Sequence, residues 1–213
     1  MATIQFVRDH FACFAGRNAR ETRQAVKANI LPHLQRVSAE LAPALSAMTG
    51  RNFQVLVTVR GRKDKPIQEA IVAFGAPDKD YSTVPHFIFG VSRAGVHARV
   101  ALPVGAAAGR TSLAAAIERD IASLARRFGS LSGLRSHAGA AGAGAWANGG
   151  LPPEVILNES FWTSLLEPLR SCSGELDVGF GWPASRARAL ALIEILTAFE
   201  RLAPLYRLMD GGR

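Results

Sequence analysis

The stretch from residue 53 to residue 103 sets the strongest limit on the fold, because it holds four short apolar segments joined by short polar loops. In the first segment, FQVLVTVR, the apolar residues at 53, 55, 57 and 59 predict a β-strand with one buried face. The segments EAIVAFG, FIFGV and VHARVAL follow within about fifty residues and have the composition of further strands. Four such strands in succession predict an antiparallel meander.

Residues 84–103, VPHFIFGVSRAGVHARVALP, predict a β-hairpin with one polar face. A turn centred on Arg93-Ala94, with Gly95 as the permissive residue, pairs Gly90 with His97. The face opposite the large apolar residues then carries His86, Ile88, Gly90, His97 and Arg99. A register shifted by one residue would separate these side chains.

The shared face makes His86 and His97 candidate catalytic residues and Arg99 a candidate ligand-binding residue. Histidine can act as a general acid or base near neutral pH, and arginine can hold a phosphate or a carboxylate in a bidentate geometry. The alternative is a half-solvated sheet face with ordinary outward-facing polar residues. Two histidines without a third ligand at suitable spacing do not predict a metal site.

Helical spacing of apolar residues brackets the predicted strands. It occurs at residues 18–48, 111–128, 158–166 and 185–204. Pro32 interrupts the first of these stretches, so that two helices or one kinked helix are the alternatives. Thr111 or Ser112 can cap the second, Asn158 or Ser160 the third and Ser185 the last, which runs up to Pro204.

LDVGFGW, at residues 176–182, predicts a last strand, in which Gly179 and Gly181 indicate a close backbone approach or a bulge. The pattern as a whole predicts an α+β fold, with a mainly antiparallel central sheet and helices packed on it. We expect residues 1–213 to form a single domain. The Gly/Ala-rich stretch at residues 138–150 is predicted to be a flexible insertion in it.

The charge distribution indicates an anionic partner. The chain has a net charge of +8; residues 1–106 hold 14 Lys and Arg against 7 Asp and Glu, and the remaining residues 11 against 10. Nucleic acid or a phosphorylated small molecule would suit such a balance. An arginine-rich coding bias is the alternative explanation.

Two basic clusters account for much of this excess. Arg17, Arg20, Arg23 and Lys27 follow helical spacing, and Arg60, Arg62, Lys63 and Lys65 lie in and beside the loop after the first predicted strand. Together they could follow a phosphate backbone. No aromatic residues are interleaved with them to stack on bases, and a solvated charged face is the alternative.

Other sequence features exclude several classes of protein. No apolar run is long enough to cross a membrane, and Arg8, Asp9 and His10 interrupt any signal peptide, so we expect a cytoplasmic protein. Cys13 and Cys172 lie far apart and are expected to be reduced thiols, although a disulfide between them stays open. The phosphate-binding, dinucleotide-binding, nucleophile-elbow and zinc-protease motifs are absent, and we expect no cofactor.

Several segments, in order along most of the chain, resemble the YktB-like family of bacterial proteins of unknown function. They are FVRDHFACF, ILPHLQRVSAELAPALSAMTG, EAIVAFG, YSTVPHFIFGV and LAPLYRLM. The resemblance implies one α/β domain with a central sheet and carries no known activity. The loop GRKDKPIQEA lacks the proline pair and the tryptophan of the family pattern, whereas Pro85-His86-Phe87 matches it.

The sequence leaves three possible functions, which we give in order of preference. The first is a non-enzymatic binding module for an anionic ligand or nucleic acid, which uses the basic N-terminal half. The second is a small enzyme that acts on an anionic metabolite through the face of His86, His97 and Arg99. The third is a protein-interaction module.

Overall fold

The computed structural model describes residues 6–16, 18–61, 65–139, 146 and 151–211. In chain order the helices are α1 (Arg8–Ala12), α2 (Ala19–Asn29), α3 (Leu31–Thr49), α4 (Ala107–Gly129), α5 (Glu159–Arg170), α6 (Ala184–Ala187) and α7 (Leu192–Met209). The strands are β1 (Gln54–Arg60), β2 (Glu69–Gly75), β3 (His86–Ser92), β4 (Gly95–Leu102), β5 (Leu134–Gly139) and β6 (Glu175–Pro183). A short 3-10 helix, Cys13–Ala15, joins α1 to α2.

The six strands form one antiparallel sheet in the order β1-β2-β3-β4-β6-β5. The first four strands form the predicted meander, and the α+β fold class is confirmed. Strand β6 pairs with β4 although it comes late in the chain, and β5 lies outside β6 at the edge. Among the strands of the described residues, β5 alone has no counterpart in the sequence prediction.

The main helices pack on one face of the sheet, where the apolar residues of the strands form the core. Phe87 of β3 stacks on Tyr206 of α7 at 4.6 Å between ring centroids and meets Phe199 edge-on. Leu34 and Leu41 of α3 belong to the same buried cluster. The opposite face of the sheet, which we call the polar face, has its own small apolar cluster of Ile71, Ala73, Ile88 and Ala101.

The sequence stretch 18–48 forms two helices, which resolves the alternatives left by Pro32. Asn18 caps α2 by accepting a hydrogen bond from Glu21 N at 2.9 Å. Ile30 separates α2 from α3, and Pro32 lies in the first turn of α3, where its missing N–H costs nothing. Gly50 ends α3 in the left-handed conformation.

Three predicted helix boundaries were wrong. Helix α5 runs past Pro168 to Arg170 and does not end at residue 166. Helix α4 begins at Ala107 and not at Thr111, because Arg110 is buried in its first turn and anchors this end against α5. The predicted helix 185–204 is divided into α6 and α7, and α7 continues past Pro204 to Met209. Burial of Tyr206 and Met209 offsets the hydrogen bond that proline removes.

Only part of the predicted Gly/Ala-rich insertion falls on described residues. Ala138 and Gly139 end β5, and Trp146 is fully buried. Residues 140–145 and 147–150 lie outside the described residues. At the positions that are described, the stretch is therefore part of the fold.

Candidate functional site

The hairpin of β3 and β4 has the predicted register. Gly90 pairs with His97, Ile88 with Arg99 and Val91 with Val96. His86, His97 and Arg99 consequently have their side chains on the same, polar face, as the alternation of residues predicts. His86 pairs with Ala101, which places it roughly 13 Å along the strands from His97 at 3.3 Å per residue.

His97 and Arg99 belong to a fully buried charged cluster with Glu69 of β2 and Asp177 of β6. Arg99 Nη1 donates to Glu69 Oε1 at 2.7 Å, and Arg99 Nε lies 3.5 Å from Asp177 Oδ2. His97 Nε2 contacts the same Glu69 oxygen. Both carboxylates contact the guanidinium, as a buried charge requires of its surroundings.

His97 takes part in this cluster as a neutral ring. Arg99 Nη1 lies 2.9 Å from both ring nitrogens of His97, which places the guanidinium over the ring rather than on one lone pair. Burial, and then Arg99, lower the pKa of His97 to about 4. Burial alone would raise the pKa of Glu69, but Arg99 and His97 outweigh it and hold that pKa at about 2.

Glycines in the neighbouring strands make room for the cluster. A Cβ atom at Gly90 would lie 2.1 Å from Cε1 of His97 and 2.9 Å from Oε1 of Glu69. A Cβ atom at Gly179 would lie 2.4 Å from Cβ of Arg99, which confirms the predicted close approach at this position. Side chains at Gly90 and Gly179 would therefore displace the charged residues from the sheet.

Trp146 lies over the cluster on the polar face. Its ring centroid is 4.7 Å from that of His97 and 5.4 Å from Cζ of Arg99, a distance at which a cation–π contact is favourable. A Cβ atom at Gly181 would lie 3.3 Å from Cζ3 of Trp146, so the indole also rests on β6. Trp146 thus covers the predicted face at His97 and Arg99, and the guanidinium of Arg99 has its carboxylate partners within the fold.

His86 is buried separately from His97. Its Nδ1 lies 3.0 Å from the carbonyl oxygen of Val84, and the ring of Tyr81 meets it edge-on at 5.4 Å. Nε2 of His86 has no hydrogen-bond partner among the described residues. Burial lowers the pKa of His86 to about 4, so this ring is also neutral at physiological pH.

The two buried histidines predict a loss of stability in mild acid. Their pKa values are about 4 in the fold against 6.5 in the unfolded chain, so protonation favours the unfolded state as the pH falls from 6.5 to 4. We expect the free energy of unfolding to fall by roughly 1 kcal/mol per histidine for each pH unit in this window. Urea unfolding at pH 7.5, 6 and 5 measures it. His86→Leu should make the decline shallower, and equal stability at pH 7.5 and 5 would contradict the prediction.

The basic residues of α2 have a different environment. Arg20 and Lys27 are exposed and Arg23 is half-buried, whereas Thr22 and Val26 on the other side of the helix are fully buried. Among the described residues no carboxylate forms a salt bridge with any of these three cations.

In the second basic cluster, Arg60 is half-buried at the end of β1, and Lys65 is exposed in the following loop. Arg17, Arg62 and Lys63 lie outside the described residues. The structure therefore shows only part of each predicted basic cluster.

The sequence prediction missed Glu69, Asp177 and Trp146. Glu69 pairs with Ser92 next to the hairpin, and the alternation of EAIVAFG could have placed it on the polar face. Asp177 and Trp146 carry no comparable signal, because the pairing of β4 with β6 is not visible in the sequence. No group of three or more His, Cys, Asp or Glu residues suited to a metal ion occurs among the described residues.

The two cysteines are free thiols in the structure, with Cys172 exposed and Cys13 half-buried. The disulfide that the sequence left open is therefore not formed. Within the described part of the chain, no helix combines the length and the apolar character that spanning a membrane requires.

The fold and the buried cluster define an α+β protein with an open antiparallel sheet and helices on one face. A family model described as a domain of unknown function, DUF1054, matches residues 6–131, which is more than half of the chain. The chain belongs to this family, and the resemblance predicted from its sequence segments is confirmed.

Two curated relatives are both named UPF0637 protein. One, from Bacillus licheniformis, is 29% identical over 92 residues, which cover 43% of this chain and 44% of the relative. The other, from Bacillus cereus, is 35% identical over 91 residues, which cover 42% of this chain and 44% of the relative. The matched region thus spans less than half of the length of these relatives, and their names state no activity.

Proposed function

We propose that this protein is a non-enzymatic binding module for nucleic acid, which it contacts through the exposed basic side of α2. The observation that carries the proposal is the set of Arg20, Arg23 and Lys27 on one side of that helix, none of which has a carboxylate partner in the described part of the chain. A row of such cations on a packed helix is suited to the phosphates of a nucleic-acid backbone.

The contrast between the two groups of candidate residues supports this choice over an enzyme. His97 and Arg99 are fully buried, and Glu69 and Asp177 compensate the charge of Arg99. An acid–base role for His86 or His97 would require a substrate to reach a face that Trp146 covers. The cations of α2, by comparison, meet solvent directly.

Charge reversal on α2 tests the proposal. We expect R20E/R23E/K27E to weaken binding of a fluorescent 20-nucleotide single strand at least tenfold at 50 mM KCl, because three phosphate contacts are lost. The slope of log K against log salt should decrease by about 2 at roughly 0.7 per contact. Fluorescence anisotropy from 50 to 300 mM KCl measures both quantities, and circular dichroism checks that α2 remains folded.

The matched control is R119E/R126E/R127E, which reverses three exposed arginines of α4 and changes the net charge equally. It should weaken binding much less than the α2 variant. Equal losses in the two variants would assign the effect to net charge alone. No binding by the unmodified protein at 50 mM KCl would contradict the proposal itself.

A further inference from the structure

A cavity of about 380 Å³ lies at the end of β6, on the face of the sheet that carries the helices. Strand β5 pairs with β6 only from Glu175 to Phe180, so Gly181–Pro183 extend beyond it. Helix α7 closes the other side through Ile193, Thr197 and Arg201. The cavity therefore forms where β6 has an open edge between two packed elements.

Aromatic side chains of β6 line this cavity. Trp182 is half-buried, whereas Trp146 and Trp162, the other tryptophans of the chain, are fully buried. Phe180 also belongs to the lining. Cζ of Arg201 is 6.0 Å from the centroid of the Phe180 ring. An aromatic surface beside a guanidinium is the combination with which proteins hold unpaired bases.

Among the described residues, one carboxylate and one guanidinium line the cavity, those of Glu194 and Arg201. The carboxylate of Glu194 contacts Arg186 and accepts a hydrogen bond from Ala191 N at 2.9 Å. Arg201 is exposed and forms no salt bridge with a described residue. One guanidinium is thus available to a phosphate at the mouth of the cavity.

The cavity lies at the same end of the sheet as Arg60 of the second basic cluster, which pairs with Glu69 and lies on the polar face. Pro183 of β6 and Arg60 of β1 stand in one row across the sheet, which runs through Glu69, Ser92 and Gly95. Four strand spacings separate them, roughly 19 Å at 4.8 Å each. Arg93 is exposed in the turn between β3 and β4, and Lys65 is exposed beyond β1. A stacked single strand of about six nucleotides at 3.4 Å spacing covers that distance.

We propose that this cavity binds one unpaired nucleotide of a single strand, with its base against Trp182 and its phosphate on Arg201. The inference rests on the proposed nucleic-acid function and specifies which form of nucleic acid is preferred. It assigns base stacking to β6 and α7.

Tryptophan fluorescence tests this site, because Trp182 alone among the three tryptophans is accessible. We expect dT12 to quench the emission, to bind about tenfold more weakly to W182F, and to leave the emission of W182F nearly unchanged. R201A should bind several-fold more weakly, whereas R119A, an exposed arginine of α4, should bind normally. Replacement of the half-buried Trp182 could change the packing, whereas R201A and R119A change exposed side chains. The comparison of R201A with R119A therefore tests the site without that effect.

The outcomes separate the two proposals. Absence of dT12 binding at 50 mM KCl overturns the nucleic-acid function. A second outcome overturns the cavity assignment alone. In it, R20E/R23E/K27E abolishes dT12 binding, but dT12 does not quench the tryptophan emission and binds W182F and R201A as tightly as the unmodified protein. Equal affinity for dT12 and its duplex with dA12 also overturns it. Quenching by thymidine monophosphate at the same concentration as dT12 assigns the cavity to free nucleotides and overturns the assignment to a strand.

Discussion

Replacement of Glu69 by alanine should destabilise the protein by about 3–5 kcal/mol, because it removes the carboxylate that accepts the hydrogen bond of the buried Arg99 and leaves only the longer contact with Asp177. Glu69 holds Arg99 Nη1 at 2.7 Å, whereas Asp177 is 3.5 Å from Nε. His97 is neutral and cannot replace the lost charge. Urea unfolding at pH 7.5, followed by far-ultraviolet circular dichroism, measures the change in the free energy of unfolding.

A surface pair provides the matched control for Glu69→Ala. Glu118 and Arg170 also form a salt bridge, but their side chains are 45% and 60% exposed, so Glu118→Ala should cost less than about 1 kcal/mol. An apolar replacement of the cluster, E69L/H97L/R99M/D177L, removes the buried charges together and should recover most of the loss. Equal costs for Glu69→Ala and Glu118→Ala would show that the buried cluster contributes no more than a surface pair.

Replacement of Arg110 by alanine should cost about 3 kcal/mol, because this buried guanidinium holds the end of α5. It donates to the carbonyl oxygens of Gly174 at 2.9 Å, Ser173 at 3.1 Å and Leu169 at 3.3 Å, and also contacts that of Pro168. Loss of these bonds leaves several carbonyl groups at a helix C-terminus without their donor. Urea unfolding measures the global effect, and amide hydrogen exchange near residues 169–174 measures the local one.

Lysine at position 110 distinguishes hydrogen bonding from charge. Its ammonium group carries the same charge but cannot reach several carbonyls with a planar set of donors, so Arg110→Lys should recover little stability. Arg119→Ala, an exposed arginine on the same helix, should change the free energy of unfolding by less than about 0.5 kcal/mol. A fully stable Arg110→Lys variant would contradict the role of the hydrogen bonds.

Local patterns predicted the β3–β4 hairpin because a short turn and strict alternation fix its register. The same reasoning placed His97 and Arg99 on one face but could not identify their partners. Asp177 comes from β6, which reaches β4 only through the tertiary fold. The sequence therefore located the charged side chains and could not show that they are buried.

The predicted helix boundaries were wrong where tertiary packing outweighs local sequence signals. Thr111 has the chemistry of a helix cap, yet its hydroxyl donates to Ala107 O within α4. Pro204 is a strong stop signal, yet α7 continues because Tyr206 packs against Phe87. Trp182 could not be recognised as part of a cavity, because α7 and the end of β5 create that cavity only in the folded sheet.

The order of the strands in the sheet has a consequence for the chain while the ribosome synthesises it. β4 ends at Leu102, and its second neighbour, β6, begins only at Glu175, so β4 is an unpaired edge while the chain between them is made. Throughout that interval the edge strand carries Arg99, and a charged residue on an exposed edge opposes pairing with strands of other chains. The guanidinium that is buried in the finished protein would thus protect the nascent chain against aggregation.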